Sequence, residues 1–166
     1  MAISFGNNGV KPYVGGSEIQ EAYVGSQLVY RAGLPYYYYF LGGTEKYQIS
    51  DNCLLQDGAA IAKPSGVTNF MLSIKAQNRI RLNGINSFIG YSLKFTTCAR
   101  GGYDTNKAQV IFYTAGGGVA SYTNFDYYKS PTLVSIPIPS NAVYAVIRTI
   151  SSSETFYFDM VRCEEN

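Results

Sequence analysis

The sequence predicts an all-β protein: a small N-terminal module of β-hairpin repeats, residues 1–33, followed by an antiparallel jelly-roll β-sandwich, residues 34–166. Three observations predict it. Apolar and polar residues alternate with period two through much of the chain, and no window shows a convincing helical period. Turn glycines at Gly6, Gly15 and Gly25 recur nine and ten residues apart in the opening segment. No helical stretch is available to carry a crossover, which disfavours a parallel sheet.

The opening segment stacks as three units. They are Ser4-Phe5-Gly6-Asn7-Asn8-Gly9-Val10, then Tyr13-Val14-Gly15-Gly16-Ser17-Glu18-Ile19, then Tyr23-Val24-Gly25-Ser26-Gln27-Leu28-Val29-Tyr30. Each reads as an apolar pair, a turn and an apolar return. Glycine next to Asn, Gly or Ser supplies the positive φ that tight hairpins need. Hairpins this small bury too little apolar surface to offset an ordering cost of ~1–2 kcal/mol per residue. They must therefore stack on one another, dock on the following domain or dock on another chain. Tyr13, Val14, Ile19, Tyr23, Val24, Leu28 and Tyr30 are the candidate contact residues of such an anchor.

The run from Tyr13 to Tyr30 resembles the Y-x-G-S-x-x-V hairpin repeats of bacteriophage and prophage structural proteins, with a first copy that departs at Phe5, Asn7 and Asn8. The resemblance implies a virion component of tail, fibre or capsid-decorating type, assembled in the bacterial cytoplasm. Its partners would be other virion proteins and further copies of itself. A homotrimer, common among phage fibres, is implied in the same way.

Ala32-Gly33-Leu34-Pro35 breaks any strand and is the expected joint. Five aromatics follow, Tyr36-Tyr37-Tyr38-Tyr39-Phe40, which on a strand alternate between faces. They read as a ledge for a sugar or partner, or, in preference, as an interface between the hairpins and the main domain. Further strands are expected at 46–49, 59–62, 69–76 and 79–82. Tyr91, Leu93 and Phe95 share one face of the next. The nearly continuous apolar run at 108–113 fits a strand covered on both sides, and Gly116-Gly117-Gly118 turns it into a return at 119–123. Val134, Ile136 and Ile138 share a face, while Pro137 lacks an amide donor and marks a sheet edge or a strand end. A strand at 142–150 and a closing strand at 155–162, with Phe156, Phe158 and Met160 inward, complete about eight strands, enough for two packed sheets.

The order of the later strands, with Ser135-Ile136-Pro137-Ile138-Pro139-Ser140-Asn141-Ala142 and the closing Tyr157-Phe158-Asp159-Met160-Val161-Arg162 before Glu164 and Glu165, resembles the galactose-binding-like jelly roll of carbohydrate-binding modules. The resemblance implies the fold over residues 45–166. It does not bring a site: sugar platforms of that family often use Trp, and this chain has none. The closing Asp supports a structural calcium in some relatives, but no second ligand stands out beside Asp159.

Composition narrows the chemistry. The chain has 166 residues, 46% of them hydrophobic and 14% charged, with sixteen tyrosines and no histidine. Thirteen Lys and Arg against eleven Asp and Glu leave +2, too near neutral for a dedicated nucleic-acid binder. No apolar run reaches the ~18 residues of a membrane span. The start of the chain lacks the basic and apolar regions of an export signal. Three cysteines, Cys53, Cys98 and Cys163, form neither a disulfide framework nor a metal knuckle and read as buried free thiols of a reducing cytoplasm.

Without histidine the usual general base is missing, and neither a G-x-S-x-G elbow nor a phosphate loop occurs. Asp104, Asp126, Glu154 and Asp159 have no spacing that marks a glycosidase pair. The chain thus reads as a non-enzyme without a cofactor. Aromatic and polar residues cluster in two expected loops and give the candidate glycan site Arg100, Tyr103, Asp104, Tyr122, Tyr127 and Tyr128, where Arg and Asp would fork to hydroxyls and Tyr would stack on the ring. Packing at protein contacts or in the core is the preferred account of these tyrosines. Arg79 and Arg81 alternate onto one strand face near Lys75, as a solvated face would. The leading expectation is a phage virion structural protein that attaches through its hairpins and displays a sandwich, in one version for adhesion to a host-surface glycan. The alternative is a carbohydrate-binding module for a cell-surface or dietary glycan.

Overall fold

The computed structural model describes residues 36–75, 78–99, 108–126, 131–150 and 155–165, with backbone strands at 13–14, 17–18, 21–24 and 27–31. Four short strands come first: β1 Tyr13–Val14, β2 Ser17–Glu18, β3 Glu21–Val24 and β4 Gln27–Arg31. Among the described residues β1 pairs with β2, and β3 with β4, as antiparallel hairpins. They match the second and third units of the repeat. The first unit, the joint at 32–35 and the side chains of the proposed anchor residues lie outside the described residues.

Among the described residues the sandwich has twelve strands in two antiparallel sheets, not about eight. The five-stranded sheet runs in the order β13 (Val119–Phe125), β12 (Ala108–Tyr113), β15 (Tyr144–Thr149), β10 (Arg79–Leu82) and β7 (Cys53–Gln56). The seven-stranded sheet runs β14 (Thr132–Pro137), β11 (Ser92–Ala99), β16 (Thr155–Glu164), β5 (Tyr36–Leu41) and β6 (Gln48–Ile49). It also carries β9 (Met71–Lys75) beside β16 and β8 (Ala60–Ala62) beside β9. The architecture is the all-β jelly-roll sandwich that alternation predicts. Pro137 does lie on an edge strand, β14, where a missing donor breaks no ladder. The glycine turn is tight: Thr114 N donates to Gly118 O at 2.8 Å, and Gly117 takes φ 78.

The core fills from alternate residues of both sheets. Ile80, Leu82, Val110, Phe112, Ala145 and Ile147 come from one, and Leu72, Ile74, Phe95, Phe156 and Phe158 from the other, nearly all fully buried. Phe95, Phe125 and Phe158 meet edge to face, with Phe95 and Phe125 centroids 5.3 Å apart and Phe95 and Phe158 5.6 Å apart. Phe125 belongs to the five-stranded sheet and the other two rings to the seven-stranded sheet, so this cluster joins the layers.

Two expectations change here. The aromatic run at 36–40 belongs to the sandwich itself: Tyr39 and Phe40 are fully buried core residues, Tyr37 packs against them, and Tyr39 Oη donates to Asn83 O at 2.7 Å. Met160 does not face inward; it is 40% exposed. The cause is a bulge in β16. Met160 adopts φ 51, and the ladder register shifts on both sides of it. After the bulge Val161 and Cys163, not Met160, carry the inward face.

Asp159 holds that bulge together. Its Oδ1 accepts from the Met160 amide and from the Gly42 amide, each at 2.7 Å. β16 pairs β9 before this point and β5 after it, so the sheet forks at Asp159.

Candidate functional site

The five-stranded sheet turns one face to the core, and period two puts the alternate residues on the other. That outer face is built in cross-strand rows. In the first row Arg79 pairs with Arg148, Arg148 with Gln109, and Gln109 with Asn124. Their side chains link up: Arg148 Nε donates to Gln109 Oε1 at 3.0 Å, and Gln109 Nε2 donates to Asn124 Oδ1 at 2.8 Å. Asp57, in the turn after β7, pairs with Arg79.

The second row reads Leu54, Arg81, Val146, Ile111 and Tyr122. Ile111 and Val146 form its apolar floor, buried yet apart from the core cluster. Tyr122 stands at the edge, 62% exposed. In the third row Tyr144 pairs with Tyr113, and their rings stack at 4.8 Å with planes 10° apart. The Arg81 guanidinium lies 3.8 Å from the Tyr144 ring centroid, and its Nε donates to Asn83 Oδ1 at 2.9 Å. Arg81, Tyr144 and Tyr113 thus form a stack across three strands. The stack fixes a cation and two aromatic rings before any ligand arrives.

Of the residues proposed from sequence, the structure places Tyr122 on this face. Arg100, Tyr103, Asp104, Tyr127 and Tyr128 lie outside the described residues. Ala108 and Phe125 pair at one end of the β12–β13 hairpin. Arg79, Arg81, Gln109, Tyr113, Tyr144 and Arg148 were not read as site residues. The one signal was the alternation of Arg79 and Arg81, set down to a solvated face. For Arg81 that is corrected: it is half-buried against Tyr144.

Among the described residues this face brings no carboxylate pair together. Asp126 follows the last residue of β13 and Asp159 sits in the other sheet, so these two carboxylates form no pair. Burial pushes the Cys53 thiol up to about 12 and raises Cys163 as well, which keeps both protonated near neutral pH. Among the described residues no group of three or more His, Cys, Asp or Glu is placed to hold a metal. Asp159 Oδ1 is already engaged by two amide hydrogens, those of Gly42 and Met160.

No family model and no curated protein sequence matches the chain. Solved structures match its fold. The C-terminal family 22 carbohydrate-binding module of Clostridium thermocellum Xyn10B is 14% identical, with a TM-score of 0.52 over 80% of this chain and 96% of that one. The family 29 carbohydrate-binding module CBM29_1 from Piromyces equi is 11% identical, with a TM-score of 0.52 over 79% of this chain and 90% of that one. A variant of a second family 29 module, CBM29-2, reaches 0.55 at 9% identity over 78% of this chain and 91% of that one. The chain shares the jelly-roll fold of carbohydrate-binding modules.

Proposed function

We propose that the protein is a non-catalytic glycan-binding module and that the outer face of the five-stranded sheet receives the sugar. The observation that carries this is the Arg81–Tyr144–Tyr113 stack beside the Arg148–Gln109–Asn124 ladder, with exposed Tyr122 on the same face. Sugar rings offer apolar C–H faces and hydroxyl rims. Tyrosine covers the first at little conformational cost, and amide and guanidinium groups bind the second. The fold shared with carbohydrate-binding modules supports the reading. A virion position, virion partners and a homotrimer are proposals that rest on the hairpin repeat alone.

Affinity electrophoresis through gels containing xylan, glucomannan, alginate or polygalacturonate tests it. At least one polysaccharide is expected to retard the protein, and Tyr122→Ala is expected to weaken that binding about tenfold, the loss of roughly one aromatic stack. Circular dichroism should not change, since Tyr122 is mostly exposed. Retardation by none of the four, or full binding by Tyr122→Ala, would count against this face.

A further inference from the structure

The two outer faces of the sandwich handle charge differently. On the seven-stranded sheet, Arg162 Nε donates to Glu164 Oε2 at 2.8 Å, and Lys94 Nζ lies 3.6 Å from Glu164 Oε1. Those two cations share the Glu164 carboxylate. On the five-stranded sheet, Arg79 and Arg148 stand directly opposite each other, an arrangement of like charges that costs stability. Asp57 answers Arg79. Among the described residues Arg148 meets the neutral Gln109 amide, and Arg81 the Asn83 amide and the Tyr144 ring. Among the described residues no carboxylate reaches either guanidinium. Asp57 is engaged by Arg79, and Asp126 lies past the end of β13.

We propose that the ligand of this face is an acidic saccharide, a glycan whose uronate carboxylates are taken by the guanidinium groups of Arg81 and Arg148. The inference rests on the glycan-binding reading of the same face. Arg81 lies opposite Val146, two residues before Arg148, so the two arginines occupy diagonal positions of the ladder, ~7–8 Å apart at the backbone. A guanidinium presents a planar fork that matches a carboxylate with two parallel hydrogen bonds. Both forks are oriented in advance through Nε, one by Asn83 and one by Gln109, and among the described residues neither meets a carboxylate. A neutral sugar would cover these cations without answering their charge; a uronate would also relieve the opposition of Arg79 and Arg148.

Calorimetric titration of the full chain with oligogalacturonate and with the same oligomer after carboxyl reduction tests this. The acidic oligomer should bind about tenfold tighter or better, and its advantage should shrink as salt rises. Arg148→Gln, at an exposed position, should remove most of the advantage with an unchanged circular dichroism spectrum. Arg81→Lys, which keeps charge but loses the fork, should fall between. Equal binding of the two oligomers would overturn the acidic assignment and leave the glycan-binding reading standing. Binding of neither, together with no retardation in any of the gels above, would overturn both. An oligonucleotide of equal charge that binds as tightly as oligogalacturonate would also overturn the assignment, because the face would then be a general polyanion surface.

Discussion

Gly42→Ala is expected to destabilise the protein by about 3 kcal/mol or more, the upper end of what overpacking costs. A Cβ at Gly42 would lie 2.1 Å from Phe70 O and 2.6 Å from Asp159 Oδ1. The first is a backbone atom and cannot swing away. It is also fixed from the other side, since Phe70 N donates to Gly43 O at 3.0 Å. The second is the oxygen that caps the Gly42 amide and holds the β16 bulge. Relief of the clash therefore parts the 42–43 segment from Phe70 and loosens the fork of the seven-stranded sheet. Urea denaturation reads the effect directly. Gly116→Ala is the control: its Cβ meets nothing within 4 Å. That change should stay within about 0.5 kcal/mol of the parent. Equal midpoints for the two variants would contradict the close approach at Gly42.

Phe158→Ala is expected to cost about 3–5 kcal/mol, the usual range for an aromatic removed from a core. Phe158 is fully buried and packs edge to face on Phe95 and Phe125, which come from different sheets. The cavity would open where the two layers are joined, so little of it could close without moving one sheet against the other. Against a typical total stability of ~5–15 kcal/mol, the loss should be plain as a lower urea midpoint at nearly constant slope. Leu133→Ala, on edge strand β14 and 58% exposed, should change the midpoint little. If Phe158→Ala behaved like Leu133→Ala, the three-ring cluster would not be what ties the sheets.

The legible part of the fold was the part written in period two. β10 falls at Arg79–Leu82 and β12 at Ala108–Tyr113, as their alternation and apolar content require. β7 was missed because Cys53-Leu54-Leu55-Gln56 shows two adjacent leucines and no alternation, although Leu55 faces the core and Leu54 is 40% exposed. Met160 was misplaced because alternation carries no warning of a bulge. The signal that could have marked it was Asp159, a short side chain able to accept amides of its own turn. The tyrosines at 37–39 looked like a surface because they are many and polar-tipped, yet Tyr39 reaches a backbone carbonyl from within the core.

The site was less legible for a different reason. Alternation says which residues of one strand share a face, but not which strands lie side by side. Arg81, Gln109, Tyr122 and Tyr144 are far apart in sequence and become neighbours only through the order β13-β12-β15-β10. Loops rich in aromatics drew attention, while the strands between them carry the ordered stack. Tyr122 is named in the sequence as part of an aromatic loop, whereas the structure places it within strand β13.

The most direct test of the proposed glycan-binding face is an amide chemical-shift titration of the isotope-labelled protein with oligogalacturonate. The account predicts perturbations confined to the five-stranded sheet, centred on Arg81, Gln109, Tyr113, Tyr122, Tyr144 and Arg148. Perturbations centred instead on the outer face of β11, β14 and β16, or none at saturating oligomer, would contradict it.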